Sequence, residues 1–113
     1  MNCKEKNTVK FFNLLTICMK AGKLLRGFDI SKEAVMSGEA SCIMTAADIS
    51  SKTLKEIKFI TEKKKDVKII SLPFDMATIE FNIGKKVGVM AVCDKGFSEK
   101  FFGYTEEIRK SEN

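Results

Sequence analysis

The sequence predicts an α/β protein, a three-layer α/β/α sandwich with helices on both faces of a small sheet. Three observations predict it. Stretches of helical apolar spacing alternate with short apolar runs along the whole chain. Two of those runs, residues 42–47 and 87–93, stay apolar through successive positions rather than at alternate ones, the pattern of a strand covered on both faces. The 113 residues, 44% of them apolar, suit one domain over 1–113. Such a domain buries roughly two-thirds of its unfolded surface without needing a disulfide or structural metal.

Each element can be justified in turn. Residues 1–7 are charged and read as a flexible tail. Thr8 can cap a first helix, in which Phe11, Leu14, Leu15 and Cys18 fall at i, i+3, i+4 and i+7 and which ends at Ala21-Gly22. A short apolar step, Leu24-Leu25, leads to Gly27. Asp29 or Ser31 can cap a second helix that carries Ala34 and Val35 and stops at Gly38. Residues 42–47 read as a strand. Caps between Asp48 and Ser51 open a third helix with Leu54, Ile57 and Ile60, which closes in the charged run Glu62-Lys63-Lys64-Lys65-Asp66. Residues 67–72 form a strand that Pro73 breaks. A short helix over about 75–82 ends at Gly84, and 87–93 is the clearest strand, expected near the middle of the sheet. Asp94-Lys95-Gly96 then turns the chain into a final helix around 98–108.

Composition excludes several chemistries. The chain has no His, so it cannot by itself build a Ser-His-Asp triad, a Cys-His dyad, an imidazole zinc site or a histidine pH switch. Its four cysteines, Cys3, Cys18, Cys42 and Cys93, include no C-x-x-C pair, and three sit in apolar stretches where a reduced thiol acts as a small hydrophobe. That usage fits a reducing cytosol and a cytoplasmic location. The apolar segment after the N-terminus contains Asn13 and Thr16 and is too short and polar for a membrane span or a signal peptide. The formal charge of +5 is lopsided. Lys4, Lys6, Lys10, Lys20, Lys23 and Arg26 face a single acid, Glu5, in residues 1–28, whereas the rest of the chain is balanced. An excess of that kind suits an acidic partner such as nucleic acid.

Most other chemical signals are weak. Neither phosphate-binding glycine motif occurs. Asp29 and Asp48 read as helix caps, Asp94 as a turn residue, and the triple lysine 63–65 as a solvated helix end. The segment from Lys20 to Lys32 is more informative. It sets Lys20, Lys23 and Arg26, a flexible Gly27 and an exposed-looking Phe28 just before a helix N-terminus. Free N–H groups and nearby cations can receive phosphate, and an aromatic ring can meet an unstacked base; Phe28 can equally staple onto its own helix.

From this segment onward the sequence resembles the kink-turn RNA-binding superfamily of the ribosomal L-seven-Ae and L-thirty-e proteins, in particular its small bacterial YlxQ-type members. The likeness is carried by Leu14-Leu15-x-x-Cys18-Met19-Lys20-Ala21-Gly22-Lys23-Leu24 and Gly27, and by Ala34-Val35-x-x-Gly38-Glu39-Ala40. It continues through Ala46-Ala47-Asp48-x-Ser50, Ile79-x-x-x-Ile83-Gly84-Lys85 and Val89-x-Ala91-Val92-x-Asp94-Lys95-Gly96-Phe97. These pieces stand in the family order over about residues 11–102. The resemblance implies a sandwich around a small mixed sheet of about four strands, and a non-enzymatic RNA-binding module without cofactor. It implies that the start of the second helix meets sheared G·A pairs while the loop after the fourth helix touches bulged nucleotides. By position these surfaces are Arg26, Gly27, Phe28, Asp29, Ile30 and Glu33, then Asp48 and Ile49, then Gly84, Lys85, Lys86 and Val87.

The expected partner is therefore structured RNA, kink-turn-like or ribosomal, bound by a monomer. Lys20, Lys23, Arg26, Lys32, Lys85 and Lys86 are the expected phosphate contacts, and Phe28 and Ile30 the apolar ones. Three residues depart from the family pattern. Asp29 and Ile30 stand where relatives carry amide, Lys or acidic side chains, and Glu33 stands where they carry a lysine. An acid repels phosphate and Ile30 cannot hydrogen-bond a guanine edge. These departures favour the alternative, a protein-interaction adaptor on the same fold.

Overall fold

The computed structural model describes residues 2–111. Along the chain lie α1 (Cys3–Lys20), β1 (Leu24–Arg26), α2 (Phe28–Ser37), β2 (Cys42–Thr45), α3 (Ser51–Glu62), β3 (Lys68–Ser71), α4 (Met76–Ile83), β4 (Val89–Val92) and α5 (Lys95–Ser111). The mixed sheet has the order β1-β4-β2-β3. β4 is antiparallel to both of its neighbours, and β2 is parallel to β3. The strand read as central is therefore internal, and the architecture is the predicted α/β sandwich.

Both faces of the sheet are covered because its two inner strands are apolar throughout. On one face Cys42, Met44, Met90 and Val92 join Phe11, Leu15 and Cys18 of α1, Phe101 and Ile108 of α5, and Ile79 of α4. Phe11 is the centre of this layer, its ring 5.1 Å from Phe74 and 5.2 Å from Phe101. On the other face Ile43, Val89 and Ala91 pack against Ala34 and Val35 of α2 and Ile57 of α3.

Three boundaries differ from the sequence reading. Met1 lies outside the described residues, and of the segment 1–7, expected as a flexible tail, residues 3–7 form the opening turns of α1, which starts at Cys3. Asn2 is its cap and accepts the Glu5 N–H at 2.8 Å, while Thr8, the expected cap, bonds back to the Lys4 carbonyl inside the helix. Leu24–Arg26, read only as an apolar step, is a strand. Three residues are too few to show an alternation, and pairing with β4 makes them one. The second helix is capped by neither Asp29 nor Ser31. It begins at Phe28 after Gly27, and Ser31 is a buried residue of its inner face.

Candidate functional site

Strand register decides which loops share an end of the sheet. Arg26, the last residue of β1, lies opposite Met90 near the start of β4. Thr45, the last of β2, lies opposite both Val89 and Ser71. The turn into α2, the loop into α3, the loop into α4 and the loop from α4 into β4 therefore gather at one end. Arg26 to Ile30, Asp48 with Ile49, and Gly84 to Val87 come together there from three separate segments.

The remaining expected residues do not join them. Leu24 pairs with Val92, and the Cys93 N–H bonds the Lys23 carbonyl at 2.8 Å, so Lys20 and Lys23 belong to the opposite end of the sheet. Adjacency in sequence misplaced them, because β1 runs the length of the sheet between Lys23 and Gly27. Lys32 and Glu33 lie on the second turn of α2 and diverge. Lys32 borders α3 beside Lys55, Glu56 and Phe59, whereas Glu33 borders an apolar groove with Leu25, Ile30 and Met36.

Backbone geometry and hydrogen bonds shape the converging loops. Gly27 has φ 129° and ψ 159° and donates its N–H to the Val89 carbonyl at 2.8 Å. No side chain caps the helix that follows, whereas Asn2, Ser50 and Asp75 cap α1, α3 and α4. The first-turn N–H groups of α2, with the positive end of its dipole, are thus left for an outside acceptor. Asp48 does not cap α3. Its Oδ1 instead accepts the Met76 N–H at 2.9 Å and ties the loop after β2 to the start of α4. Ile49 packs on the core, and a Cβ at Gly88 would come within 2.8 Å of its Cγ2, so these loops meet only because position 88 has no side chain. The Asp75 carboxyl is held below its ordinary value of 3.8 by the Thr78 hydroxyl and then by the Thr78 N–H.

Two apolar candidates are turned inward. Phe28 packs against the core layer containing Val35, Ile57 and Val89, and Val87 is 5% exposed within the other layer. Ile30 remains 43% exposed. Cations at this end include Arg26, Lys85 and Lys86, with exposed Lys52 in the first turn of α3. The rings of Phe11 and Phe12 lie 5.1 and 4.8 Å from Phe74 in the loop into α4. The α1 turns preceding them, which carry Lys6 and Lys10, therefore extend toward the same end, where Arg109 of α5 also bonds the Ser71 carbonyl. Sequence reasoning missed those two lysines, because nothing local says where a helix start lies relative to a distant strand. It also passed over Phe81 on α4, whose position off the Met76, Ile79 and Ile83 stripe was legible.

Asp48 and Asp94 are at opposite ends. Asp94 accepts the Phe97 N–H at 2.9 Å and opens α5. A pocket of about 600 Å³, lined by Ser41, Cys42, Lys68, Lys95, Ser98 and Glu99, lies away from the converging loops, at the starts of β2, β3 and α5. Among the described residues no helix is long and apolar enough to cross a membrane, and no group of three or more Cys, Asp or Glu could hold a metal ion.

No family model matches the chain. It is 33% identical over 96 residues to the RNA-binding protein YlxQ of Enterococcus faecium, covering 85% of this chain and 91% of that protein. A solved structure of a protein of unknown function from Bacillus halodurans superposes with a TM-score of 0.78 at 23% identity, over 86% of this chain and 97% of that one. The 15.5kD RNA binding protein of Giardia lamblia superposes with a TM-score of 0.67 at 13% identity, over 93% and 89%. The two superpositions show a shared fold.

Proposed function

The chain belongs to the YlxQ-type members of the ribosomal L-seven-Ae and L-thirty-e superfamily, and from that premise we propose that it is a non-enzymatic protein that binds structured RNA. The observation that carries this reading is the meeting of three segments around a helix start that no side chain caps. The N–H groups of α2 receive a phosphate, Arg26, Lys85, Lys86 and Lys6 receive others, and Ile30 lies against the groove edge of a distorted helix. A kink-turn, which exposes non-Watson–Crick pairs beside bulged nucleotides, is the RNA shape that fits three contact segments at one end of a sheet. Asp29, Ile30 and Glu33 then shift its preferred pairs away from those of relatives with polar or basic residues there. Ribosomal RNA is the proposed source.

Titration of RNA hairpins with and without a kink-turn at several salt concentrations tests this. About four phosphate contacts give a slope of log affinity against log salt near −3. Replacing Arg26, Lys85 and Lys86 by Ala flattens the slope, and replacing Lys20 and Lys23 leaves it unchanged. A flat response in the parent protein overturns the proposal.

One observation favours a second reading. Leu25, Ile30 and Met36 line a groove of about 660 Å³ beside Glu33 and Glu39, a lining that suits a basic protein segment. Retention of a protein partner after nuclease treatment, with no RNA affinity, supports that adaptor instead.

A further inference from the structure

The strand register that gathers the candidate loops at one end of the sheet gathers four other connections at the opposite end. Leu24, Cys42 and Lys68 open β1, β2 and β3 there, and Val92 closes β4. The turns from α1 into β1, from α2 into β2, from α3 into β3 and from β4 into α5 therefore share that end.

Its charge differs from that of the candidate interface. The strand termini, loops and adjoining helix turns bring Lys20 and Lys23 from the first connection and Lys63, Lys64, Lys65 and Lys68 from the third, while Lys95 opens α5; all are exposed. Four acids share this end, Glu39, Glu62, Asp66 and Asp94, and Asp94 is engaged in capping α5 through the Phe97 N–H. By the same measure the candidate interface sets Arg26, Lys52, Lys85 and Lys86 against Asp29, Asp48, Asp75 and Glu80. One end is balanced, whereas the other sets seven lysines against four acids. Among the described residues none of the seven forms an ion pair.

The chemistry of these side chains identifies the partner. Protein interfaces are enriched in aromatic, Met and Arg side chains and depleted in Lys. Here every cation is Lys, and no large apolar side chain in the four loops is exposed. The two exposed rings that border this end each hold a lysine ammonium over them, Lys63 at 4.7 Å from the Phe59 centroid and Lys68 at 5.3 Å from that of Phe102. Flexible point charges spread over three segments suit a row of phosphates, a contact that positions a nucleic acid without reading its sequence.

We propose that this end is a second, sequence-independent RNA contact, which takes the phosphate backbone of a segment other than the one held at the candidate interface, so that the protein bridges two RNA segments across its sheet. The inference rests on the RNA-binding reading above and gives a role to the lysines that the converging loops leave out.

The test loads the protein with one equivalent of unlabelled kink-turn hairpin and then titrates in a fluorescently labelled, fully paired RNA duplex, read by anisotropy. The loaded parent should capture the duplex, with an affinity that falls about a hundredfold between about 50 and 200 mM salt for four phosphates contacted. Replacing Lys20, Lys23, Lys64 and Lys65 together by Gln should weaken duplex capture at least about tenfold and leave hairpin affinity and its salt slope unchanged. Replacing the same four by Arg should keep the capture. Because these side chains are exposed and unpaired, circular dichroism and the urea midpoint of both variants should stay near the parent's. Displacement of the hairpin by the duplex, undiminished capture by the Gln variant, equal loss in the Gln and Arg variants, or preference for a labelled polyglutamate peptide over the duplex each overturns the second contact while leaving the RNA-binding reading intact. Absence of salt-dependent hairpin binding by the parent overturns both.

Discussion

Gly27 joins backbone geometry to the candidate site. Its φ of 129° with ψ of 159° lies in a region that side-chain-bearing residues essentially do not occupy, and this conformation lets β1 end against Val89 and α2 begin one residue later. A Cβ there would meet nothing closer than Ile30 Cγ2 at 3.8 Å, so the cost of a substitution is conformational rather than steric. Gly27→Ala is expected to lower stability by about 1–3 kcal/mol in urea unfolding and to weaken RNA binding beyond what stability explains, since relaxing φ swings the α2 N–H groups. An unchanged midpoint would contradict this account. Gly27 was prominent in the sequence as punctuation between an apolar step and a helix. Its geometry was not, and neither was the absence of a cap, because Asp29 and Ser31 both offered one. Phe28 shows the same limit from the other side. A phenylalanine after a glycine reads as exposed until Ile57 of α3 and Val89 of β4, distant in sequence, are packed against it.

At the scale of elements, legibility followed the range of the interactions that define each one. α1, α3 and α4 carry local stripes and local stops, and the inner strands are apolar enough to be recognised alone. β1 exists only through its pairing with β4 and could not be seen. Asp48 is the clearest case. The sequence made it a cap for the helix beginning three residues later, but Ser50 accepts the Thr53 N–H there at 3.1 Å, and Asp48 reaches the start of α4 instead. α4 contributes a single fully buried side chain, Ile79, so this tie counts for much of its placement. Asp48→Ala is expected to cost about 1 kcal/mol and several degrees of thermal midpoint, whereas Asp48→Asn, whose amide oxygen can accept the same bond, should stay near the parent. Equal losses in the two variants would mean that charge, rather than the hydrogen bond, holds the helix. Such a loss should also carry over to any RNA contact made by Lys85 and Lys86, because the chain reaches them directly from this helix through Gly84.

Across the whole molecule the fold redistributes what the sequence concentrates. The early cations separate along α1 and β1, with Lys20 and Lys23 at one end of the sheet and Lys6, Lys10 and Arg26 toward the other, so a local excess in sequence becomes two surfaces. The cysteines do the reverse. Cys18 and Cys42, far apart in sequence, share one buried layer, while half-buried Cys93 packs against the other. Burial, with the charges of Asp94, Cys42 and Cys93 adding to it, pushes the Cys18 thiol up to about 12. Burial pushes Cys42 up to about 11 against the opposing Ser98 hydrogen bond. Burial and then Glu39 raise Cys93, with Lys23 opposing. An unfolded thiol ionises near 9.0, so below that pH both states hold the proton and stability is complete. Between about 9 and 12 the unfolded chain releases protons that the native core retains, and stability falls. With no His to titrate, the urea midpoint should be nearly level from pH 6.5 to 8.5 and then decline. Replacing Cys18 and Cys42 together by Ala should reduce the steepness of that decline, whatever it costs at neutral pH. At pH 8 a thiol reagent should modify exposed Cys3 quickly, Cys93 slowly, and Cys18 and Cys42 only on unfolding. A decline equally steep in the double variant would show that the alkaline loss arises outside the thiol core, and rapid modification of all four would show that this core opens readily in the native protein.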